Sequence, residues 1–398
     1  MQLIAKEFKI GWWKISLATI VWFLLAIVGI VLKIRLGYDK IANYVIFQNA
    51  FDRAIHLKDL YYTDPALGLD VFLYGPLFTI LIAPFAILPI NAGAFLWGLA
   101  NAWFLFFAIR KLPVGNRNQN IILYFAAIEM MTSVQNLQIN CIIAALIILS
   151  YVFVHKQKDI WGTLFIAIGF LIKIYGIVGL AFFFFSRHKT KFTLFFISWL
   201  VILFCLPMLI TNPHYLIQSY TGWYEALTIK NDHNIHKGMI SVLAMLQHLF
   251  SSPYLNIIIT ICAAIFYALP LLRFGQFKNV HFQLSYLAFA LIGVVIFSSS
   301  AESPTYIIAI SGVAIWYIIQ EKKSPATIAL FIFAFLITSF ATTDFFPQYL
   351  KANLIKPYSL KALPCFLIWL VLAYQLLLKD FSRSNIKNNN LIPVGEQV

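Results

Sequence analysis

A chain of 398 residues that is 61% hydrophobic and 11% charged lies outside the composition of a soluble domain. Its net charge of +14 is spread over short polar segments with no long basic cluster, which excludes nucleic acid as a partner. Cys141, Cys205, Cys262 and Cys365 sit in or beside apolar runs without CxxC or Cys/His spacing, so neither a disulfide framework nor a metal site is expected.

Lys6, Lys9 and Lys14 precede a first apolar run with no prompt small-residue cleavage site, so 15–34 reads as an uncleaved span. Further spans are expected at 92–109, 120–134, 138–154, 160–172, 176–186, 192–210, 256–272, 283–299, 305–320, 325–342 and 363–378, about twelve transmembrane helices in all. The fold class is therefore all-α integral membrane, one domain over 1–398. The segment 74–88 carries Pro76 and Pro84 and is followed by Pro89. As a crossing it would send Arg110, Lys111, Arg117, Lys156 and Lys158 outside. As a re-entrant or interfacial helix it keeps all five in the cytoplasm, which the positive-inside rule favours. Both termini are then cytoplasmic, including the tail 380–398. Most of the 29 Lys/Arg fall inside, and two-thirds of the 15 Asp/Glu fall outside.

Long outer segments are costly to order and usually functional. The first, 35–91, holds Asp39, Asp52, Asp59, Asp64 and Asp70. The second, 211–255, is rich in His, Asn and aromatics, among them His233, His236, Trp223 and Tyr224. A third, 343–364, carries Lys351, Lys356 and Lys361. Any single acid in such a loop also reads as a solvating charge.

Ionisable groups inside apolar runs are expensive unless paired or facing a cavity. Lys173 splits the apolar run 162–185 in the pattern G-F-L-I-K-I-Y-G. It reads either as a phosphate contact at the junction of two short helices or as a snorkelling lysine. Gln135, Asn136, Gln138 and Asn140 join two spans at the same face. Amides donate and accept, which suits sugar hydroxyls, although helix capping and interhelix bonding use the same groups. Glu302, in S-S-S-A-E-S-P, is either a site carboxylate or a charge at a helix N-terminus. Glu129 is placed to pair with Lys173. No Walker, dinucleotide, HExxH or GxSxG motif occurs, so an activated donor would come from the membrane itself.

Several blocks resemble the polyprenyl-phosphate-dependent glycosyltransferases of the GT-C superfamily, specifically glycosyltransferase family 87, whose members are alpha-mannosyltransferase-like. They are N-Y-V-I-F-Q-N-A (43–50), K-D-L-Y (58–61), Y-G-P-L-F (74–78) with Pro84 and Pro89 after it, V-Q-N-L-Q-I-N (134–140) and F-L-I-K-I-Y-G (170–176). The ordered set over about 15–310 carries the resemblance. It implies a GT-C-type multispan helical bundle with a long extracytoplasmic first loop. It also implies an enzyme of the cytoplasmic (inner) membrane whose active site is extracytoplasmic. The reaction it implies is inverting transfer of a hexose, mannose first, from a polyprenyl-phosphate donor to a glycolipid or glycan acceptor. A first-loop Asp acts as base. The phosphate leaves already anionic, so the chemistry calls for a base and cations and for no metal or other cofactor.

Where the family pattern has that Asp, this chain has Asn43, and an amide is no general base. Asp39, one helical turn earlier, is the first substitute, with Asp59 and Asp70 behind it. Lys173 and Lys351 are the expected phosphate contacts. Tyr74, Gln135, Asn136, Gln138, Asn140, His233, His236 and Glu302 are the expected sugar and acceptor contacts. The rivals are a transporter or flippase of lipid-linked sugars, an envelope polymerase or ligase, and a non-catalytic family member.

Overall fold

The computed structural model describes residues 6–10, 13–62, 69–234, 239–250 and 255–381. A short antiparallel hairpin, β1 (Glu7–Ile10) and β2 (Trp13–Ser16), comes before the first span, with Glu7 opposite Ser16 and Ile10 opposite Trp13. Then follow α1 (Leu17–Arg35), α2 (Ala42–Ile55), α3 (Phe78–Ala86), α4 (Ile90–Arg110), α5 (Asn116–Gln135), α6 (Asn140–His155), α7 (Asp159–Ile172) and a 3-10 run at Ile174–Phe185. The second half holds α8 (Lys189–Cys205), α9 (Pro213–Asn234), α10 (Val242–Phe250), α11 (Leu255–Ala268), α12 (Val280–Ile296), α13 (Tyr306–Ile319), α14 (Pro325–Phe333), α15 (Gln348–Leu350) and α16 (Leu363–Leu378).

Six helical stretches are both long and apolar enough to cross a bilayer: Leu17–Arg35, Ile90–Arg110, Lys189–Leu209, Leu255–Leu272, Pro325–Thr342 and Leu360–Leu378. All six coincide with spans expected from the sequence. Five other expected spans fall on shorter apolar helices: Asn140–His155, Asp159–Ile172, Ile174–Phe185, Val280–Ile296 and Ser303–Ile319. A 14-residue helix such as α7 rises only about 21 Å against the roughly 30 Å of hydrocarbon. The remaining expected span lies in α5, which opens on the polar run N-R-N-Q-N. The nine residues of α3 rise about 14 Å, too little to cross alone. The chain is a helical membrane protein.

Two compact units are present: Phe23–Ala108 with Met131–His233, and Met1–Trp22 with Ile109–Met130 and Asn234–Val398. In the former, here the first-loop unit, α2 packs on α3, α7 packs on α6 and α8, and the 3-10 run lies on α6 and α7. Its first-loop core is aromatic. Phe47 meets Phe78 with ring centroids 4.7 Å apart, and Trp97 closes the cluster 5.8 Å from Phe78. In the latter, the C-terminal unit, α12 packs on both α13 and α16. Almost every α12 residue from Phe282 to Ile296 is buried, as expected of a helix apolar all round. Close approach of α13 to α12 depends on Gly312, where a Cβ would stand 2.8 Å from the Ala288 carbonyl oxygen. The hairpin is tied down in the same unit: Arg110 Nη2 donates to Ser16 Oγ at 2.9 Å and Thr19 Oγ1 at 3.1 Å.

Candidate active site

Lys173 sits at a true break. α7 ends at Ile172, Lys173 is extended (φ −148°, ψ 120°), and the chain resumes as the 3-10 run. A break frees backbone carbonyls that need donors. The Ile172 carbonyl accepts from the Gly75 N–H at 3.0 Å, so the Y-G-P-L-F block docks on the break. Only glycine fits at 75, because a Cβ there would lie 1.9 Å from the Leu171 carbonyl oxygen. The Lys173 ammonium donates to Asn140 Oδ1 at 2.8 Å and lies 4.5 Å from the centre of the Tyr175 ring. Asn140 in turn donates through Nδ2 to Gln138 Oε1 at 2.6 Å. Lys173, Asn140 and Gln138, proposed separately from the sequence, therefore form one hydrogen-bonded chain.

The turn that carries Gln138 is pinned from two sides. Leu137 adopts a left-handed conformation (φ 51°) between α5 and α6. The last carbonyls of a helix lack helical partners. Here the Asn43 Nδ2 donates to the Asn136 carbonyl at 2.8 Å, and the Trp97 indole donates to the Leu137 carbonyl at 2.8 Å. Asn136 spends its own amide on the Thr132 carbonyl at 2.8 Å. Gln135 packs beside Gly29 of α1, where an added Cβ would come 3.0 Å from Gln135 Cγ. Asn43 is thus a structural donor, and an ionised carboxylate, which only accepts, would not replace it.

The rest of loop one is braced by phenols and indoles. Tyr44 donates to the Phe85 carbonyl at 2.8 Å, Tyr61 to the Tyr74 carbonyl at 3.0 Å, and Tyr215 of α9 to the Lys58 carbonyl at 2.7 Å. Burial pushes the Tyr44 and Tyr215 phenols up to about 12, which keeps both protonated as donors. Tyr74 stacks on Phe78 at 5.0 Å, next to the Gly75 contact. Trp223 is buried with its indole on the Leu73 carbonyl at 3.0 Å, so it braces loop one and presents no open face for a sugar.

The loop acids differ in what they touch. Asp39 is exposed at the start of the 3-10 turn Tyr38–Ile41, and no described residue bonds its carboxylate. Asp59 accepts from the Tyr61 N–H at 3.0 Å. Asp70 pairs with Lys230 at 3.4 Å. Asp64 and His236 lie outside the described residues, as does the side chain of His233 at the end of α9.

Two sequence candidates belong to the C-terminal unit. Lys351 donates to the carbonyls of Thr342 at 3.0 Å and Thr343 at 3.3 Å, so its ammonium caps a helix end. Glu302 is exposed as the N-cap of the turn Ser303–Thr305, and its N–H donates to Thr305 Oγ1 at 3.3 Å. The expected pairing of Glu129 with Lys173 is replaced by another. Glu129 Oε1 lies 2.9 Å from Lys361 Nζ, and both side chains are buried. Sequence reasoning left Lys361 as an ordinary loop lysine. The signal was a lone acid in an apolar stretch of α5, which requires a buried cation somewhere. Among the described residues no group of three or more His, Cys, Asp or Glu side chains could hold a metal.

The profile of glycosyltransferase family 87 matches residues 72–299, more than half of the chain. The matched stretch includes Tyr74, the 135–140 turn and Lys173, and begins after Asp39, Asn43, Asp59 and Asp70. No curated protein matches the chain. On that match, and with the helical membrane architecture above, the chain belongs to glycosyltransferase family 87 and is a membrane glycosyltransferase.

Proposed function

We propose that the protein moves a hexose, mannose first, from a polyprenyl-phosphate donor to a lipid or glycan acceptor on the extracytoplasmic side of the cytoplasmic membrane. The observation that carries this reading is the Lys173–Asn140–Gln138 chain at the α7 break, with loop one docked on that break through Gly75. A cation on broken backbone suits a lipid phosphate, and the adjoining amides suit hydroxyls.

In this mechanism the acceptor oxygen attacks the anomeric carbon with inversion. The bond from that carbon to the phosphate oxygen breaks, and its electron pair leaves on the phosphate. Lys173 holds the phosphate charge, and a loop-one carboxylate takes the acceptor proton. Asp39 is favoured as that base. Asp59 and Asp70 are engaged with Tyr61 and Lys230, whereas the Asp39 carboxylate is exposed and bonded by no described residue. Asp39 also lies one turn before Asn43, whose amide holds the 135–140 turn. Tyr74, Gln135 and Asn136, in the same unit as Lys173, shape the surroundings. The reaction requires no metal or other cofactor, since the leaving group is already an anion.

The test is transfer from radiolabelled polyprenyl-phosphate mannose by the purified protein in nanodiscs. Asp39→Asn is expected to lower turnover by at least about 10²-fold with donor binding intact. Wild-type turnover in that variant would move the base elsewhere.

A further inference from the structure

At the end of α7 remote from Lys173, within the first-loop unit, two turns form one cationic surface. They are 156–159, between α6 and α7, and 186–191, which enters α8. Together they carry Lys156, Lys158, Arg187, Lys189 and Lys191, with Asp159 as their one acid. The turns are bonded to each other. Gln157, in the left-handed region (φ 57°), donates through Nε2 to the Phe185 carbonyl at 3.3 Å, and its Oε1 accepts from the Arg187 N–H at 2.7 Å. Ser186 donates to Asp159 Oδ2 at 2.8 Å and accepts from the His188 N–H at 3.0 Å, and both Ser186 and Asp159 are buried. The Lys189 ammonium also turns inward, onto the Phe183 carbonyl. Lys158, Arg187 and Lys191 are different. All three are exposed, and no described residue bonds or pairs with their charged groups.

The positive-inside rule asks only for Lys/Arg somewhere in such turns. It does not ask that the turns be cross-bonded, with their one acid turned inward onto Ser186 and three cations left on the surface. Fixed like charges repel, and an anion from outside the chain relieves that. The apolar surroundings say which anion. Leu194, Ser198, Val201 and Ile202 follow Lys191 at i+3, i+7, i+10 and i+11, on one face of α8. Leu194, Val201 and Ile202 are more than half exposed, on a helical stretch long and apolar enough to cross a bilayer. Trp161, half exposed in the first turn of α7, and Trp199, whose indole donates to the Ile160 carbonyl at 2.9 Å, flank the turns as interfacial tryptophans do. We propose that these two turns bind an anionic glycerophospholipid. Lys158, Arg187 and Lys191 hold its phosphate, and an acyl chain lies along α8 from Leu194 to Ile202. Soluble phosphate would meet the cations and leave the strip unused. The site is distinct from the one at Lys173, because the 14 residues of α7 rise about 21 Å between them.

The test titrates the full chain in detergent with phosphatidylglycerol or phosphatidylcholine and reads retained lipid by native mass spectrometry. The wild-type protein is expected to hold phosphatidylglycerol about tenfold more tightly than phosphatidylcholine. The triple variant Lys158→Gln/Arg187→Gln/Lys191→Gln should lose that preference. A control, Lys58→Gln/Lys322→Gln/Lys356→Gln, removes the same charge from other exposed positions and should keep it. Millimolar inorganic phosphate should leave the lipid bound. Equal retention of both lipids by the wild-type protein would overturn the proposal and leave the cations to an acidic soluble partner. An undiminished preference in the triple variant, or an equal loss in the control, would also overturn it. Displacement by inorganic phosphate would do the same, by assigning the cations to a soluble anion. Should the triple variant not fold, Arg187→Gln alone decides. Its preference is expected to fall about threefold, and an unchanged one overturns the proposal. None of these outcomes depends on sugar transfer.

Discussion

Asn43 shows how one side chain changes meaning between sequence and structure. By the resemblance of its first-loop block an acid is expected at this position, and read that way Asn43 is a lost base. In the fold its amide donates to the Asn136 carbonyl, a contact between residues 93 apart that no local pattern announces. An acid placed there should therefore not raise activity. Asn43→Asp would set a carboxylate against a carbonyl oxygen and is expected to cost about 1–3 kcal/mol of stability. A lowered unfolding midpoint without a gain in transfer rate is the expected result, and a faster enzyme would reverse this reading. Lys173 was legible because a lysine within an apolar run is rare. Its neighbours Asn140 and Gln138 were legible as a polar cluster, and what the sequence withheld was the bond that joins them. Lys361 was hidden because its partner, Glu129, lies on a different element far along the chain.

The elements divide the same way. Hydropathy located α1, α4 and α16 within a few residues, because a long apolar run has few other fates in a membrane protein. It also marked a break after Ile172. It did not distinguish an α-helix from the 3-10 run at Ile174–Phe185, since both bury the same apolar composition. Nor did composition announce the hairpin at Glu7–Ser16, whose four-residue strands are too short to register a pattern. Proline bounded α3, which begins after Pro76 and ends before Pro89, but Pro84 did not break it: the helix runs through that residue. Its docking partner emerged only from the Gly75 contact. Gly75→Ala would drive a Cβ to 1.9 Å from the Leu171 carbonyl oxygen, so the Y-G-P-L-F block must move off the break. A cost of about 1–3 kcal/mol is expected, with faster proteolysis of loop one and a raised donor KM. Normal protease resistance in that variant would show that the docking is not needed.

For the whole molecule, charge asymmetry and exposed apolar surface belong to the same account. Ile257, Ile258, Ile261 and Ile265 project from α11 at helical spacing and are more than half exposed. In water that stripe would be an aggregation hazard, whereas acyl chains solvate it at no cost. The topology argued from Lys/Arg placement puts Phe345 outside and Arg117 inside. In a variant free of native cysteines, Phe345→Cys is expected to react with a membrane-impermeant maleimide on intact cells. Arg117→Cys should react only after lysis. The opposite pattern would invert the topology and place loop one in the cytoplasm.

The 3-10 run carries one more consequence. Its buried residues include Gly176, Gly179, Phe182 and Phe185, a stripe with a period of three. At three residues per turn these four positions eclipse one another along a single line, two glycines followed by two phenylalanine rings. The segment is therefore a ratchet with three-residue teeth. Inserting one alanine after Gly179 would swing both phenylalanines round by about 120° and unseat them, while inserting three would bring them back into phase one tooth further along. Its tolerance for length change should come in threes, a signature that an α-helix in the same place would not show.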